Sequence, residues 1–178
     1  MKKIAVIYKS KYGFTRRYAE WIAEALGATL LEHASAKQQR LDAYDIVVYG
    51  GGLYAGGING VKWVTKQPCK QLVLFTVGVA VPADTDYTEI VHQALTPQQR
   101  EKIKVFHLRG GVMYSKLSFV HKMLMAAVKK SAEKKPITER NSEDTGIIET
   151  YGQDVDFTDR ASIAPLVEYV RGLTSDCI

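Results

Sequence analysis

Short apolar runs alternate along this chain with segments of helical spacing. Lys3–Tyr8, rich in β-branched residues and bounded by a polar turn, reads as a buried strand. Thr29–Leu31, Ile46–Tyr49, Gln71–Val77 and Ile103–Leu108 are the next four strand candidates. Between them, Thr15–Leu26 places Tyr18, Ile22, Ala25 and Leu26 on one helical face before Gly27 stops it. Val61–Lys66 is a brief helix ended by Pro68, and Thr85–Leu95 is helical, with Thr96-Pro97 opening another turn. Strands alternating with helices at this spacing predict an α/β fold, with a parallel sheet covered on both faces and right-handed crossovers.

Beyond the fifth run, Lys116–Lys130 predicts a helix carrying Leu117, Val120, Leu124, Ala127 and Val128 along one stripe. Phe119, Met123 and Ala126 form a second apolar edge. Two readings stay open: the stripe packs on the sheet with its lysines solvated, or the surplus apolar area meets a partner or membrane. Lys135–Tyr151 is polar, lacks an apolar period and reads as an excursion. A last helix lies within Ala161–Gly172, where Pro165 is tolerable only in the first turn.

With 178 residues, 46% of them hydrophobic, the chain is long enough for a core without staples and is expected to be one domain over 1–178. Its longest uncharged stretch, Ile46–Val61, has 16 residues and is crowded with glycine, too short for a spanning helix. Lys9 and Lys11 follow the first apolar run with no cleavage region, so no signal peptide is expected. Cys69 and Cys177 are too few and too far apart for a disulfide framework or a zinc site. The expected location is cytoplasmic.

The net charge is +5, unevenly spread. Residues 100–135 carry 10 basic and 2 acidic side chains, whereas 136–178 carry 3 basic and 9 acidic. The two blocks either match each other internally or leave a basic surface for anions, phospholipid or an acidic partner.

In an open doubly wound sheet, ligands bind beyond the carboxyl ends of the strands. Three loops there have suitable composition. Ser10-Lys11-Tyr12-Gly13-Phe14-Thr15 runs into a helix N-terminus, where hydroxyls, a glycine amide and the helix dipole suit a phosphate; an ordinary helix cap is the alternative. Gly50-Gly51-Gly52-Leu53-Tyr54-Ala55-Gly56-Gly57 lets backbone approach a flat ligand and offers Tyr54 for stacking. Thr76-Val77-Gly78-Val79-Ala80 is a small-residue turn able to hydrogen-bond a ring edge. Tight turn chemistry is the alternative for these two.

Tyr8–Thr15 resembles the FMN phosphate loop of flavodoxins. Tyr44–Gly50, continuing through Leu53-Tyr54-Ala55-Gly56, resembles that family's next flavin-contacting stretch. Arg109–Tyr114 before the basic helix, and Asp154–Asp159 before the last one, are similar to segments of the flavodoxin-like, menaquinone-dependent protoporphyrinogen IX dehydrogenases. Tyr12 stands where many flavodoxins place Ser or Thr, and the pI near 9.1 contrasts with acidic single-electron carriers. The resemblance implies a flavodoxin-like, doubly wound, five-stranded parallel sheet of order 2-1-3-4-5 and a non-covalent FMN. Ser10, Lys11, Tyr12, Gly13, Phe14 and Thr15 would then hold the phosphate, with Gly52, Leu53, Tyr54, Ala55 and Gly56 on one side of the isoalloxazine. Thr76, Val77, Gly78 and Val79 would lie on the other.

The flavin carries the chemistry in such proteins, so no side chain is assigned a catalytic role. Two functions follow: an electron carrier meeting a redox partner protein, or an oxidoreductase with its own small substrate of quinone or protoporphyrinogen type. Residues 109–135 are expected to rest on an anionic membrane, at its inner face, if the second holds. The degenerate Gly50-x-Gly52-x-x-Ala55 fingerprint lacks the acidic residue a dinucleotide ribose needs, Lys70 standing there. A receiver domain would need acids where Tyr8, Tyr49 and Gly50 stand. His33, His92, His107 and His121 have no ligand-like spacing, so no metal is expected. The basic block carries no recognition motif, and no nucleic-acid partner is expected.

Overall fold

The structure is a computed structural model that describes residues 2–54, 56–140 and 142–175. The chain runs β1 (Ile4–Lys9), α1 (Phe14–Leu26), β2 (Thr29–Glu32), α2 (His33–Ala36), β3 (Ile46–Tyr54), β4 (Gly57–Ile58), α3 (Val61–Val64), β5 (Leu72–Gly78), α4 (Thr88–Ala94) and α5 (Pro97–Lys102). It continues through β6 (Lys104–Arg109), β7 (Gly111–Val112), α6 (Phe119–Lys134), α7 (Ser142–Thr150), β8 (Val155–Asp156) and α8 (Ala164–Ser175).

Strand alternation builds the core. On one face of the sheet Val6, Tyr8, Val48, Val73, Phe75 and Val77 pack against Tyr18, Ile22 and Ala23 of α1 and Leu166, Val167 and Val170 of α8. On the other, Ala5, Ile7, Val47, Tyr49, Leu72 and Leu74 meet Ala36, Val61, Val64 and Leu95. Ile7, Leu74 and Phe75 are wholly buried, and burial of each such side chain contributes about 1.5–3 kcal/mol. Strands covered on both faces read as continuous apolar runs, which is why these were legible.

All five long strands are parallel, in the order β2-β1-β3-β5-β6. This is the expected 2-1-3-4-5 order once β4, a short antiparallel partner of the outer end of β3, is set aside. The doubly wound α/β fold with helices on both faces is therefore present.

Several expectations need correction. The triple glycine does not end the third strand, because β3 continues to Tyr54, with Gly50 and Gly51 paired to β1 and Gly50–Gly52 paired to β5. A Cβ at Gly50 would lie 2.0 Å from the Phe75 ring, and one at Gly51 would lie 2.6 Å from the Asn59 carbonyl oxygen. These glycines serve close packing inside a strand, not loop freedom.

The excursion after Lys135 is also structured. A 3-10 turn at Ile137–Glu139 leads to α7, which packs against α6 instead of building a separate apolar face. Thr96-Pro97 opens a further helix, α5, through a capping box with Gln99. The helix expected over Thr85–Leu95 starts only at Thr88, after a 3-10 turn at Pro82–Asp84. The last helix starts at Ala164, placing Pro165 in its first turn as required.

The largest departure is α6. Of the two open readings, the stripe packed on the sheet is not the one seen: Val120 is 63% exposed, Leu124 49% and Val128 45%, and on the second edge Phe119 is 76% and Met123 59% exposed. The buried residues of α6 are His121 and Ala132. Lys122 and Lys129 turn inward, over the rings of Tyr114 and Tyr151. Between the two charge blocks, Lys135 pairs with Asp144 at 2.7 Å.

Candidate functional site

The carboxyl ends of β1, β3 and β5 bring two of the three expected loops together with a partner that the sequence reading omitted. The first is the turn between β1 and α1. Gly13 adopts φ +96°, a left-handed conformation that side chains rarely accept, and nothing lies within 4 Å of where its Cβ would be. Arg17 N–H makes the first helical bond, to the Gly13 carbonyl at 3.0 Å. The amides of Phe14, Thr15 and Arg16 precede that bond and have no partner within the helix. No acidic residue occupies the first turn; Lys11 precedes it, and Arg16 and Arg17 within it are paired with Glu20 and Asp156. Ser10 Oγ accepts a bond from Gly13 N–H at 3.1 Å, so that hydroxyl already caps its own turn. Thr15 is buried, and Gly52 comes close enough that its Cβ would lie 3.4 Å from the Thr15 hydroxyl oxygen.

The second element is the β3–β4 hairpin, with Leu53 opposite Ile58 and Tyr54 opposite Gly57. Gly56 turns it at φ +76°. Tyr54, at the tip, is 46% exposed. Ala55 lies outside the described residues. The hairpin stands over Tyr49, whose hydroxyl meets His33 Nδ1 at 3.0 Å and donates to the Asn59 carbonyl at 3.2 Å. Burial pushes the Tyr49 phenol well above its ordinary value. Gly60 is obligatory there, since a Cβ would fall 1.9 Å from the Tyr49 hydroxyl.

The third segment is placed differently from the first two. Thr76 and Val77 belong to β5 and are buried, with the Thr76 hydroxyl 2.6 Å from His107 Nδ1. The Gly78 carbonyl accepts from Gly110 N–H at 2.6 Å, and the Val79 carbonyl accepts from Arg109 Nε–H at 3.2 Å. These side chains and carbonyls are committed to the fold. What the segment offers a ligand is its backbone beyond Val79.

The omitted residue is His121. From the first turn of α6 its ring reaches both other loops. Nδ1 lies 2.7 Å from the Tyr12 hydroxyl and 3.1 Å from Ser118 Oγ; Nε2 lies 3.1 Å from Lys11 Nζ and within hydrogen-bond reach of the Tyr54 hydroxyl. Burial, with Tyr54 as a smaller contributor, raises the Tyr12 phenol above its usual range. The sequence did carry a signal: His121 sits three residues after the helix-capping Ser118.

Beside the first loop a cleft of about 340 Å³ opens toward the β7–β8 ribbon, lined by Tyr12, Gly13, Arg17, Met113, Lys116 and Asp156. Arg17 pairs with Asp156 across it. Among the described residues no group of three or more His, Cys, Asp or Glu side chains is arranged to hold a metal ion. No helix among them is long and apolar enough to cross a membrane.

The residues present fit FMN in kind. Amides without helical partners, a left-handed glycine and the Lys11 ammonium suit a phosphate, and an exposed aromatic tip on the same sheet edge suits a flat ring.

Comparison with known proteins points the same way. No curated protein matches the chain. Among solved structures it is similar to a WrbA-like flavodoxin from Agrobacterium tumefaciens, at 26% identity over 47% of this chain and 64% of that one, with a TM-score of 0.37. It is also similar to oxidised flavodoxin 2 from Bacillus cereus, at 20% identity over 60% and 84%, TM-score 0.44. A Lactobacillus acidophilus flavoprotein in complex with FMN aligns at 14% identity over 61% and 93%, TM-score 0.40. The Agrobacterium alignment thus spans less than two thirds of that protein, and the family assignment rests on none of these structures. It rests on the flavodoxin-domain family profile, which matches residues 5–139 and so takes in every loop described above. By that match the chain belongs to the flavodoxin domain family.

Proposed function

We propose that this chain is an FMN-binding redox protein that passes electrons through the flavin to a redox partner protein. FMN is the cofactor the family assignment supports. The observation that carries the reading is the start of α1, where three amides without helical partners and a first turn free of acidic residues lie on the same sheet edge as Tyr54. There Ser10–Thr15 would hold the phosphate, while Gly52–Tyr54 and Gly56, with the backbone beyond Val79, would border the ring. Bound FMN supplies one- and two-electron transfer; the protein contributes orientation and exclusion of water. Purified protein, or apoprotein reconstituted with FMN, should show a flavin absorbance band that dithionite bleaches and air restores. Failure to retain or take up FMN at micromolar concentration would overturn the reading.

A second reading, an oxidoreductase with its own substrate of quinone or protoporphyrinogen type, is favoured by one observation. The apolar residues of α6 face outward beside the candidate site, flanked by exposed Lys116, Lys130 and Lys134. Such a surface suits an anionic membrane, where a quinone would be met. Steady-state turnover with a soluble quinone or a protoporphyrinogen separates the two: turnover without a protein partner favours the enzyme, and its absence the carrier.

A further inference from the structure

Of the four histidines, His121 alone joins the candidate site's loops to each other. His33 bonds Tyr49 on the far face of the sheet, His107 bonds Thr76, and His92 lies on α4. His121 is only 8% exposed, although Phe119 and Val120 beside it are left largely in solvent. A helix that buries an imidazole and exposes a phenylalanine is oriented by the polar contact. Apolar burial would turn it the other way.

The contacts converge on two tyrosines. The His121 and Tyr54 rings meet edge-on, centroids 5.0 Å apart at 81°, and His121 meets Tyr12 at 6.2 Å and 78°. Lys11 Nζ lies 5.1 Å from the Tyr54 ring centroid and 5.7 Å from that of Tyr12. Lys11 Nζ lies 3.1 Å from Nε2 and 3.4 Å from Nδ1, so it shares the imidazole edge with the tyrosine hydroxyls. Tyr54 meets His121 at its hydroxyl and Lys11 over its ring, at the exposed tip of a two-residue strand pair that could not fix it alone.

We propose that His121 is a positioning residue of the FMN site, supplied by the segment after the last long strand to hold Tyr54 and Tyr12 in the orientation that FMN meets. This rests on the FMN-binding reading above. The two tyrosines are ordered before the ligand arrives, so their side-chain freedom is not lost on binding. The benefit through Tyr54 falls on the ring end of the ligand and is shared by riboflavin, while that through Tyr12 falls on the phosphate loop and is felt by FMN.

The test is a double-mutant cycle read by fluorescence titration of apoprotein with FMN and, separately, with riboflavin. His121→Ala should weaken riboflavin by a factor of the order of tenfold and FMN at least as much, and Tyr54→Phe should weaken both ligands by about the same factor. The double variant should be no weaker than the worse single one, because each removes the same bond. His121→Asn, which keeps a donor and an acceptor, should recover part of the loss. If His121→Ala does not fold, His121→Phe replaces it, keeping ring volume without the nitrogens. Unchanged affinity in a folded variant, or losses that multiply in the double variant, would overturn the proposal. Wild-type protein that binds neither flavin would instead bring down the FMN reading, and this proposal with it.

Discussion

Gly50 lies directly beneath the Phe75 ring: a Cβ on Gly50 would fall 2.0 Å from its Cζ, in register with the strand pairing that sets Gly50 opposite Phe75. Phe75 is wholly buried in the core on the α1 and α8 side. This close approach lets β3 pass between β1 and β5 and carry Leu53 and Tyr54 to the edge where the site is built.

Gly50→Ala should therefore destabilise the protein through overpacking, by about 1–3 kcal/mol. A urea midpoint lowered with little change in slope is the expected result. Phe75→Leu alone should also destabilise, but in the Gly50→Ala background it should cost less than alone, since the smaller side chain accepts the added methyl group. Additive losses would show that the ring and the glycine do not share the space.

The phosphate loop gives a ligand-selective expectation. Replacing both Ser10 and Thr15 by Ala removes the hydroxyl that accepts from Gly13 N–H and the hydroxyl beneath Gly52. Hydrogen bonds to charged groups contribute about 1.5–3 kcal/mol each. FMN should then bind at least about tenfold more weakly, while riboflavin, which lacks the phosphate, should be nearly indifferent. Calorimetric titration of both ligands checks this. Equal losses would place the phosphate elsewhere.

His107 links the site's scaffold to pH. Its ring stacks on Tyr87 with centroids 3.7 Å apart and bonds the Thr76 hydroxyl, and burial pulls its pKa from 6.5 down to about 4. Between those two values the unfolded chain binds a proton that the folded one does not, so stability falls as the pH falls from 6.5 toward 4. Each pH unit crossed removes up to about 1.4 kcal/mol. His33, shifted downward chiefly by burial and secondarily by Lys9 and Lys37, acts in the same direction. His107→Gln can still bond Thr76 but does not titrate, so its stability should depend less on pH over that window. Denaturation midpoints at pH 7, 5.5 and 4.5 measure the difference, and parallel curves for both proteins would count against His107 as a source.

What was legible in the sequence follows from where packing is two-sided. Ile4–Tyr8, Ile46–Tyr49 and Leu72–Val77 are covered on both faces, so their composition alone reveals strands, while their order is what the resemblance to flavodoxins implies. The glycines after Tyr49 misled because a glycine demanded by Phe75 looks the same in sequence as one demanded by a turn. α7 was missed because Ser142–Thr150 has no apolar stripe of its own; its partner, α6, supplies the packing surface. His121 was passed over for a related reason. A helical stripe is normally read as the buried side, and in α6 it is the exposed one.

That reversal yields the last expectation. Phe119, Val120, Met123, Leu124 and Val128 present an outward apolar face, and Lys116, Lys130 and Lys134 are exposed near it. A basic helix with such a face can rest on an anionic bilayer, where each nearby lysine contributes about 1 kcal/mol and its apolar side chains enter the headgroup boundary. The protein should then bind vesicles containing phosphatidylglycerol but not neutral phosphatidylcholine vesicles, and more weakly as salt shortens the screening length. Lys122 and Lys129 lie over tyrosine rings, and Lys129 also pairs with Glu133 at 3.3 Å, so reversing their charge would disturb the fold. Lys116→Glu, Lys130→Glu and Lys134→Glu together should abolish vesicle binding while leaving any flavin spectrum intact. Val120→Ser with Leu124→Ser should weaken binding at every salt concentration, separating the apolar contribution from the ionic one. Wild-type protein that ignores anionic vesicles at low salt would remove the membrane from the account and leave α6 as a face for an acidic partner protein.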